Sequence, residues 1–358
     1  MNISSKIKNK NILRMQPVIS PERLQEEIPV STDVYEHIFE SRTVVKNIIH
    51  RKDKRLLVII GPCSVHDRLA TLEYAKLLSE IQKEFSNTFF FVMRLYFEKP
   101  RTTLGWRGLI VEPELDGFID IERGLRYSRT VATDIAAMYL PIATEFLDPV
   151  VPQYLSDLVT WASIGARSSE SQIHRELASG LSVPVGFKNA TDGSIDSAIN
   201  AICSAQSAHA FLGITEQGES AIMHTSGNKD CHLVLRGGNH STNYDHEHIE
   251  SALYELRKKN LNPSILVDCS HGNSKKSAIN QLYVFNSVLE TLLSNTEISP
   301  AICGFMLESF LQTGKVSVED CKKKNNFGLS ITDECLGWNE TYTLLKNAHT
   351  KLCEVQYE

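Results

Sequence analysis

The chain has no cysteine pair in CxxC spacing, no run approaching ~18 apolar residues and no apolar segment behind its first methionine. Its eight cysteines are scattered at 63, 203, 231, 269, 303, 321, 335 and 353 of 358 residues. That pattern excludes the disulfide framework of a small secreted domain. The other two absences exclude a membrane-spanning helix and a secretory leader, since MNISSKIKNKNILRM carries no apolar core. The expectation is a cytoplasmic protein with reduced thiols. Basic excess is also missing: 37 Lys and Arg against 43 Asp and Glu give a net charge of −6, which disfavours nucleic acid or an anionic membrane as a partner. No GxGxxG or Walker pattern occurs, so a nucleotide cofactor is not indicated. In an acidic chain, a local gathering of cations is informative.

What is present is ordinary in bulk, with 42% hydrophobic and 22% charged residues. The length suits about two domains, or one α/β barrel with extensions. Residues 1–50 read as a polar arm and helical extension. Ser20-Pro21-Glu22-Arg23 starts one helix, and Ser31-Thr32-Asp33 opens another that runs to about His50. From Arg55 onward, apolar runs alternate with amphipathic segments: RLLVII, FFFVMRLY, IATEF, WASIGAR, VPVGFK, HAFLGI, HLVLRGG, SILVDCS and ICGFMLES. Strands apolar throughout, alternating with helices, indicate a parallel sheet covered on both faces. Nine runs are one too many for a barrel. FLGITEQGESAIMHT resolves the excess, because only Ser226 to Cys231 separate it from HLVLRGG, too few for a crossover helix. It reads as an antiparallel β-hairpin, about 209–226, inserted into a (β/α)8 TIM barrel that occupies 51–358. Leu311 to Ser330, with four lysines and no apolar period, reads as a long functional or mobile loop.

Polar residues gather where these strands end: Cys63 after the first, Arg94 on the second with Lys99 and Arg101 beyond it, Glu145, Arg167, Lys188, Arg236, Asp268 with His271, and Glu308. Strand C-termini of such a barrel share one mouth, where active sites are built. Six cations at one mouth ask for anions, and two phosphates plus a carboxylate would suit them. For any single residue, pairing with a rim carboxylate is an equally good reading; for all six it is not. Cys63, His271, Glu308 and Asp333 are chemically suited to a divalent transition metal, although their spacing forms no local signature. Alone, Cys63 reads as a packing cysteine and His271 as a hydrogen-bonded core histidine.

Taken together, RLLVIIGPCSVHD, VMRLYFEKPRTTLGWRGL, PQYLSDLVTWASIGARSSESQIHRELASGLSVPVGFKN, LVLRGGN, LVDCSHGNS and SITDECLGW resemble the class I 3-deoxy-D-arabino-heptulosonate-7-phosphate synthases, from about residue 20 onward. The resemblance implies the first reaction of the shikimate pathway, joining phosphoenolpyruvate to erythrose 4-phosphate with one divalent metal ion (Mn, Fe, Co or Zn). It implies Cys63, His271, Glu308 and Asp333 as metal ligands, and Arg94, Lys99, Arg167, Lys188 and Arg236 as the phosphoenolpyruvate pocket. Arg101 and Thr102 would serve the aldose phosphate, Glu145 would face the substrates, and Lys99 with the carboxylates near the metal would be candidates for proton transfer. Ser168-Ser169, Ala190 and Leu329 depart from the usual family residues without removing a ligand or cation.

The resemblance further implies a homodimer or homotetramer inhibited by an aromatic amino acid, bound near the hairpin and a neighbouring subunit's arm. Pro152, Gln153, Leu181, Ser182, Phe211 and Gly213 match that cavity, and Gly213 and the arm favour tyrosine as effector. Two rivals stand beside this reading. One is a synthase of the same chemistry that uses arabinose 5-phosphate; the other is a catalytically silent barrel that binds an aromatic amino acid.

Overall fold

The computed structural model describes residues 7–294 and 296–356; the first six residues of the expected arm lie outside the described residues. Ten strands form: β1 Leu56–Gly61, β2 Phe89–Arg94, β3 Ile142–Glu145, β4 Trp161–Ile164, β5 Val185–Lys188, β6 Ala210–Ile214, β7 Ser220–His224, β8 Cys231–Leu235, β9 Ile265–Asp268 and β10 Ile302–Glu308. Eight close into a parallel barrel in the order β1-β10-β9-β8-β5-β4-β3-β2, while β6 and β7 pair apart from it. The excess ninth run is therefore the hairpin, antiparallel, with Leu212 opposite Ile222. The helices are α1 Pro21–Glu27, α2 Thr32–Ile49, α3 Arg68–Glu84, α4 Ile121–Ala136, α5 Pro152–Leu155, α6 Gln172–Gly180, α7 Asp196–Ala205, α8 His246–Lys258, α9 Asn280–Leu293 and α10 Trp338–Gln356. Among the described residues, no helix is long and apolar enough to cross a membrane.

Local chemistry sets the helix starts. Ser20 accepts the Arg23 N–H with Pro21 at the first helical position, and Asp67, Asp120 and Asp245 cap α3, α4 and α8 in the same way. Inside the barrel, Leu57, Ile59, Val92, Ala143, Trp161, Val234, Leu266 and Met306 pack with Val45, Ile48 and Ile49 of α2. That helix closes the end of the barrel where the strands begin. Gly186 makes room for this layer, because a Cβ there would stand 2.3 Å from the Trp161 ring.

Side chains alternate along a strand, so the residue two beyond each interior apolar residue also points inward, one layer nearer the mouth. Val92 is followed by Arg94, Ala143 by Glu145, Leu266 by Asp268 and Met306 by Glu308. The polar strand ends are thus the top layer of the barrel interior. The stretch after Glu308, expected as a loop, is stitched together: bridges join Ser309 to Leu336, Gly314 to Cys335 and Lys315 to Ser330. Leu336 N–H donates to the Glu308 carbonyl at 2.9 Å, which returns the chain to the mouth with Asp333.

Candidate active site at the barrel mouth

A cavity of about 170 Å3 at the mouth is lined by Lys99, Arg101, Glu145, Arg167, Lys188, Arg236, His271 and Asp333. Of the six cations expected there, five line it; the sixth, Arg94, is sealed beneath, fully buried. Arg94 Nη2 donates to Glu308 Oε1 at 3.0 Å, and its Nε has no partner. Burial opposes its charge, but Tyr96 and Glu308 hold the guanidinium above its usual range. Arg167 and Arg236 come just after β4 and β8 rather than on them. They face each other closely enough that burial and the Arg167 charge lower the Arg236 guanidinium.

Glu145 folds over Gly165, where a Cβ would meet Oε1 at 2.1 Å; only glycine leaves it that position. Lys188 Nζ lies 3.2 Å from Asp268 Oδ2, and His271 Nδ1 lies 2.9 Å from the same oxygen. Burial would raise Asp268, yet His271 and Lys188 hold it below the ordinary carboxylate range. His271 reaches this place through a left-handed backbone, φ 51°, in a turn whose Lys275 and Lys276 are left-handed too. Such a conformation costs free energy in a non-glycine residue, and that cost is characteristic of functional sites.

The metal-suited residues converge in part. Ligand atoms of Cys63, Glu308 and Asp333 lie within 4.8 Å of one another. His271 stands at the edge of that group, with Nε2 3.7 Å from Glu308 Oε1. Its Nδ1 faces Asp268, the arrangement by which a carboxylate orients a ligating imidazole and leaves Nε2 towards the ion. A thiol, an imidazole and two carboxylates form a donor set that fits Mn, Fe, Co or Zn. Lys99 Nζ donates to the Cys63 carbonyl at 3.0 Å and lies 3.3 Å from its Sγ. Burial would lower Lys99, but Cys63 and Glu308 outweigh it and raise it above the ordinary lysine value. Burial and Glu308 push the Cys63 thiol up, against the pull of Lys99. Lys276 Nζ lies 3.4 Å from Asp333 Oδ1.

Thr102 is exposed and lines neither this cavity nor the adjoining cleft of about 510 Å3; Arg101 and Thr103 line that cleft with Arg107, Arg167 and Glu98. Glu98 was not singled out from sequence. Burial and the nearby Asp148 carboxylate push it up to about 7.

A separate cavity of about 690 Å3 lies between the hairpin, α5 and α6, and Pro152, Gln153, Leu181, Ser182 and Phe211 line it. Gly213 does not; it backs Met223, a lining residue, whose Cγ would be 2.7 Å from an added Cβ. The chain's own arm reaches this region: Glu22 N–H donates to the Glu216 carbonyl at 2.9 Å, and Gln25 Nε2 to the Gln153 carbonyl at 3.3 Å.

With this geometry in view, comparison with known proteins is direct. Residues 25–346 match the DAHP synthetase I family. The Tyr-sensitive phospho-2-dehydro-3-deoxyheptonate aldolase of Escherichia coli (strain K12) is 44% identical over 346 residues, 97% of this chain and 96% of that protein. The Phe-sensitive one of the same organism is 45% identical over 335 residues, 94% of each chain. A solved structure of phospho-2-dehydro-3-deoxyheptonate aldolase from Francisella tularensis SCHU S4 superposes with a TM-score of 0.92 at 42% identity, covering 95% of this chain and 98% of that one.

Proposed function

The chain belongs to the DAHP synthetase I family, and from that premise we propose that it condenses phosphoenolpyruvate with D-erythrose 4-phosphate to give 3-deoxy-D-arabino-heptulosonate 7-phosphate and phosphate. The observation that carries this reading is the mouth cavity, where Lys99, Arg101, Arg167, Lys188 and Arg236, with Lys276, converge beside a thiol and two carboxylates suited to a metal.

Arg167 and Arg236 are read as the clamp on the phosphate of phosphoenolpyruvate, and Arg94, Lys99 and Lys188 as the cations that hold its carboxylate. Arg101, which lines both the mouth cavity and the adjoining cleft, is read as the contact for the aldose phosphate, with Thr102 beside it in sequence. Cys63, His271, Glu308 and Asp333 would hold the divalent ion, which when bound supplies Lewis acidity towards the aldose carbonyl. C3 of the enol ether is a weak nucleophile, so its orientation against the aldehyde carbon by fixed cations is where these residues contribute most. Attack leaves positive character at C2, water adds there, and phosphate departs with C–O cleavage. Arg167 and Arg236 stabilise the departing dianion. Lys99 and Asp333 are the proposed proton carriers, and Glu145 faces the substrates.

The hairpin cavity is proposed to bind an aromatic amino acid as feedback inhibitor, with tyrosine favoured because Gly213 sets no side chain against Met223 and so leaves room for a ring hydroxyl. Residues 1–50 would be the regulatory arm, 51–358 the catalytic barrel, and the assembly a cytoplasmic homodimer or homotetramer. Phosphoenolpyruvate consumption, measured with erythrose 4-phosphate or arabinose 5-phosphate and each aromatic amino acid, tests the reading. Consumption with arabinose 5-phosphate alone would overturn the substrate assignment, and inhibition by phenylalanine alone the effector assignment.

A further inference from the structure

Arg94, Lys99 and Lys188 each have an anionic or polar partner of their own: Glu308, the carbonyl and thiol of Cys63, and Asp268 respectively. They also share one neighbour that is neither charged nor part of the chemistry described above. Tyr96 is buried, and the Arg94 guanidinium carbon lies 3.9 Å from its ring centroid. Lys188 Nζ and Lys99 Nζ lie 5.8 and 5.9 Å from the same centroid. All three distances fall within the ~6 Å over which an aromatic face attracts a cation, and the attraction strengthens where water is excluded.

Two features fix the ring in this place. The chain stays extended past β2, with Leu95 N–H donating to the Ala143 carbonyl at 2.8 Å and the Tyr96 carbonyl accepting from Val65 N–H at 3.0 Å. Arg94 and Tyr96, two residues apart, therefore share the inward face. The phenol oxygen lies 2.8 Å from Ser163 Oγ on β4, which pins the ring from its far end. A tyrosine placed only to fill volume would not require three cations around it.

We propose that Tyr96 is a positioning residue: its ring face is the common hub that holds Arg94, Lys99 and Lys188 in the spacing that receives an anionic carboxylate. The hub offsets the mutual repulsion of three ammonium and guanidinium groups while no anion is bound, without adding a negative charge that would compete with the substrate. This rests on the assignment of phosphoenolpyruvate to the mouth cavity.

The test measures phosphoenolpyruvate binding by equilibrium titration without aldose, beside steady-state kinetics and thermal melts, in wild type, Tyr96→Leu and Tyr96→Phe. Tyr96→Leu is expected to weaken phosphoenolpyruvate binding about tenfold, with a matching rise in its KM and a KM for erythrose 4-phosphate within about twofold of wild type. Tyr96→Phe keeps the ring face and is expected to restore most of that affinity, although loss of the Ser163 contact lowers its melting temperature. Should Tyr96→Leu fail to fold, phenylalanines of increasing fluorination at position 96 keep the shape while draining the ring face. Affinity should then fall stepwise with fluorination. Unchanged affinity in Tyr96→Leu or across the fluorinated series, or a loss in Tyr96→Phe as large as in Tyr96→Leu, overturns the proposal. A wild-type protein that binds no phosphoenolpyruvate would instead overturn the substrate assignment, so the two failures are distinguishable.

Discussion

The cavity at the barrel mouth and the cavity beside the hairpin differ in how their walls are made. The mouth is small, about 170 Å3, and its charged lining comes from the strand residues Glu145 and Lys188 and from the loops that leave the strands of the closed barrel. The hairpin cavity is about 690 Å3 and is lined by turns, a four-residue helix and an outlying two-stranded ribbon. Glu145, Lys188 and Arg236 in the first are buried, and Lys188 lies 3.2 Å from Asp268. In the second, Phe211 and Met223 stand on a ribbon outside the barrel sheet. The difference teaches that the barrel itself places the polar groups of the mouth, whereas the walls of the second cavity are built largely from elements added around it.

The largest effect that would sharpen this contrast is at the proposed metal ligands. Cys63→Ala or Asp333→Asn should weaken Mn²⁺ binding by roughly a hundred- to a thousandfold, about one ligand's share of a four-ligand site. Calorimetric titration of Mn²⁺ and phosphoenolpyruvate consumption check this, and normal binding in either variant would break the assignment. Next comes Arg94→Ala, which takes from the fully buried Glu308 its ion-pair partner at 3.0 Å and leaves His271 at 3.7 Å. Unfolding stability should drop by about 3–5 kcal/mol, read by denaturant titration.

A third test concerns Glu98, at the rim of the mouth. Its folded value, about 7, lies above the ordinary glutamate value, so the folded state binds the proton more tightly. Folding stability should therefore fall as pH rises through the window from about 4.5 to 7, by on the order of 3 kcal/mol. Glu98→Gln should remove that slope in pH-dependent melts. A wild-type curve as flat as the variant's would refute it.

The smallest effects belong to the hairpin cavity. Leu181→Trp should abolish inhibition by tyrosine while kcat stays within about twofold, because no mouth residue moves. Gly213→Ser should push Met223 aside and shift the tyrosine-to-phenylalanine inhibition ratio by roughly tenfold or more. If Leu181→Trp lowers turnover as far as Cys63→Ala does, the two cavities are not separable and the comparison fails.

How much of this was legible in the sequence follows from the same contrast. A buried parallel strand announces itself as an apolar run, and its polar last residue then has only one place to go. Arg94, Glu145, Lys188 and Glu308 were readable for that reason, and so was the hairpin, from the short spacing before HLVLRGG. Arg167 and Arg236, one to three residues past their strands, were readable only approximately. Tyr96 was absorbed into the run FFFVMRLY, where an aromatic looks like core; its spacing of two from Arg94 was the available signal. The single Asp268 oxygen facing both Lys188 and His271, and the left-handed turn that aims His271, leave no mark in a one-dimensional pattern. The proposed effector cavity was reached through family resemblance alone, since no period organises turns and loops.

Asp333 arrives differently from the other metal-suited residues. Cys63, Glu308 and His271 sit at or within a few residues of strand ends, whereas Asp333 returns after an excursion whose two feet are tied at Glu308–Leu336 and Gly314–Cys335. Because both feet are clamped, the span between them is free to change length: closing a longer loop adds only ~0.6 kcal/mol for each doubling. The tip near Lys324 is thus where residues could be inserted, or a peptide tag carried, while the distance from Asp333 to Cys63 stays as it is.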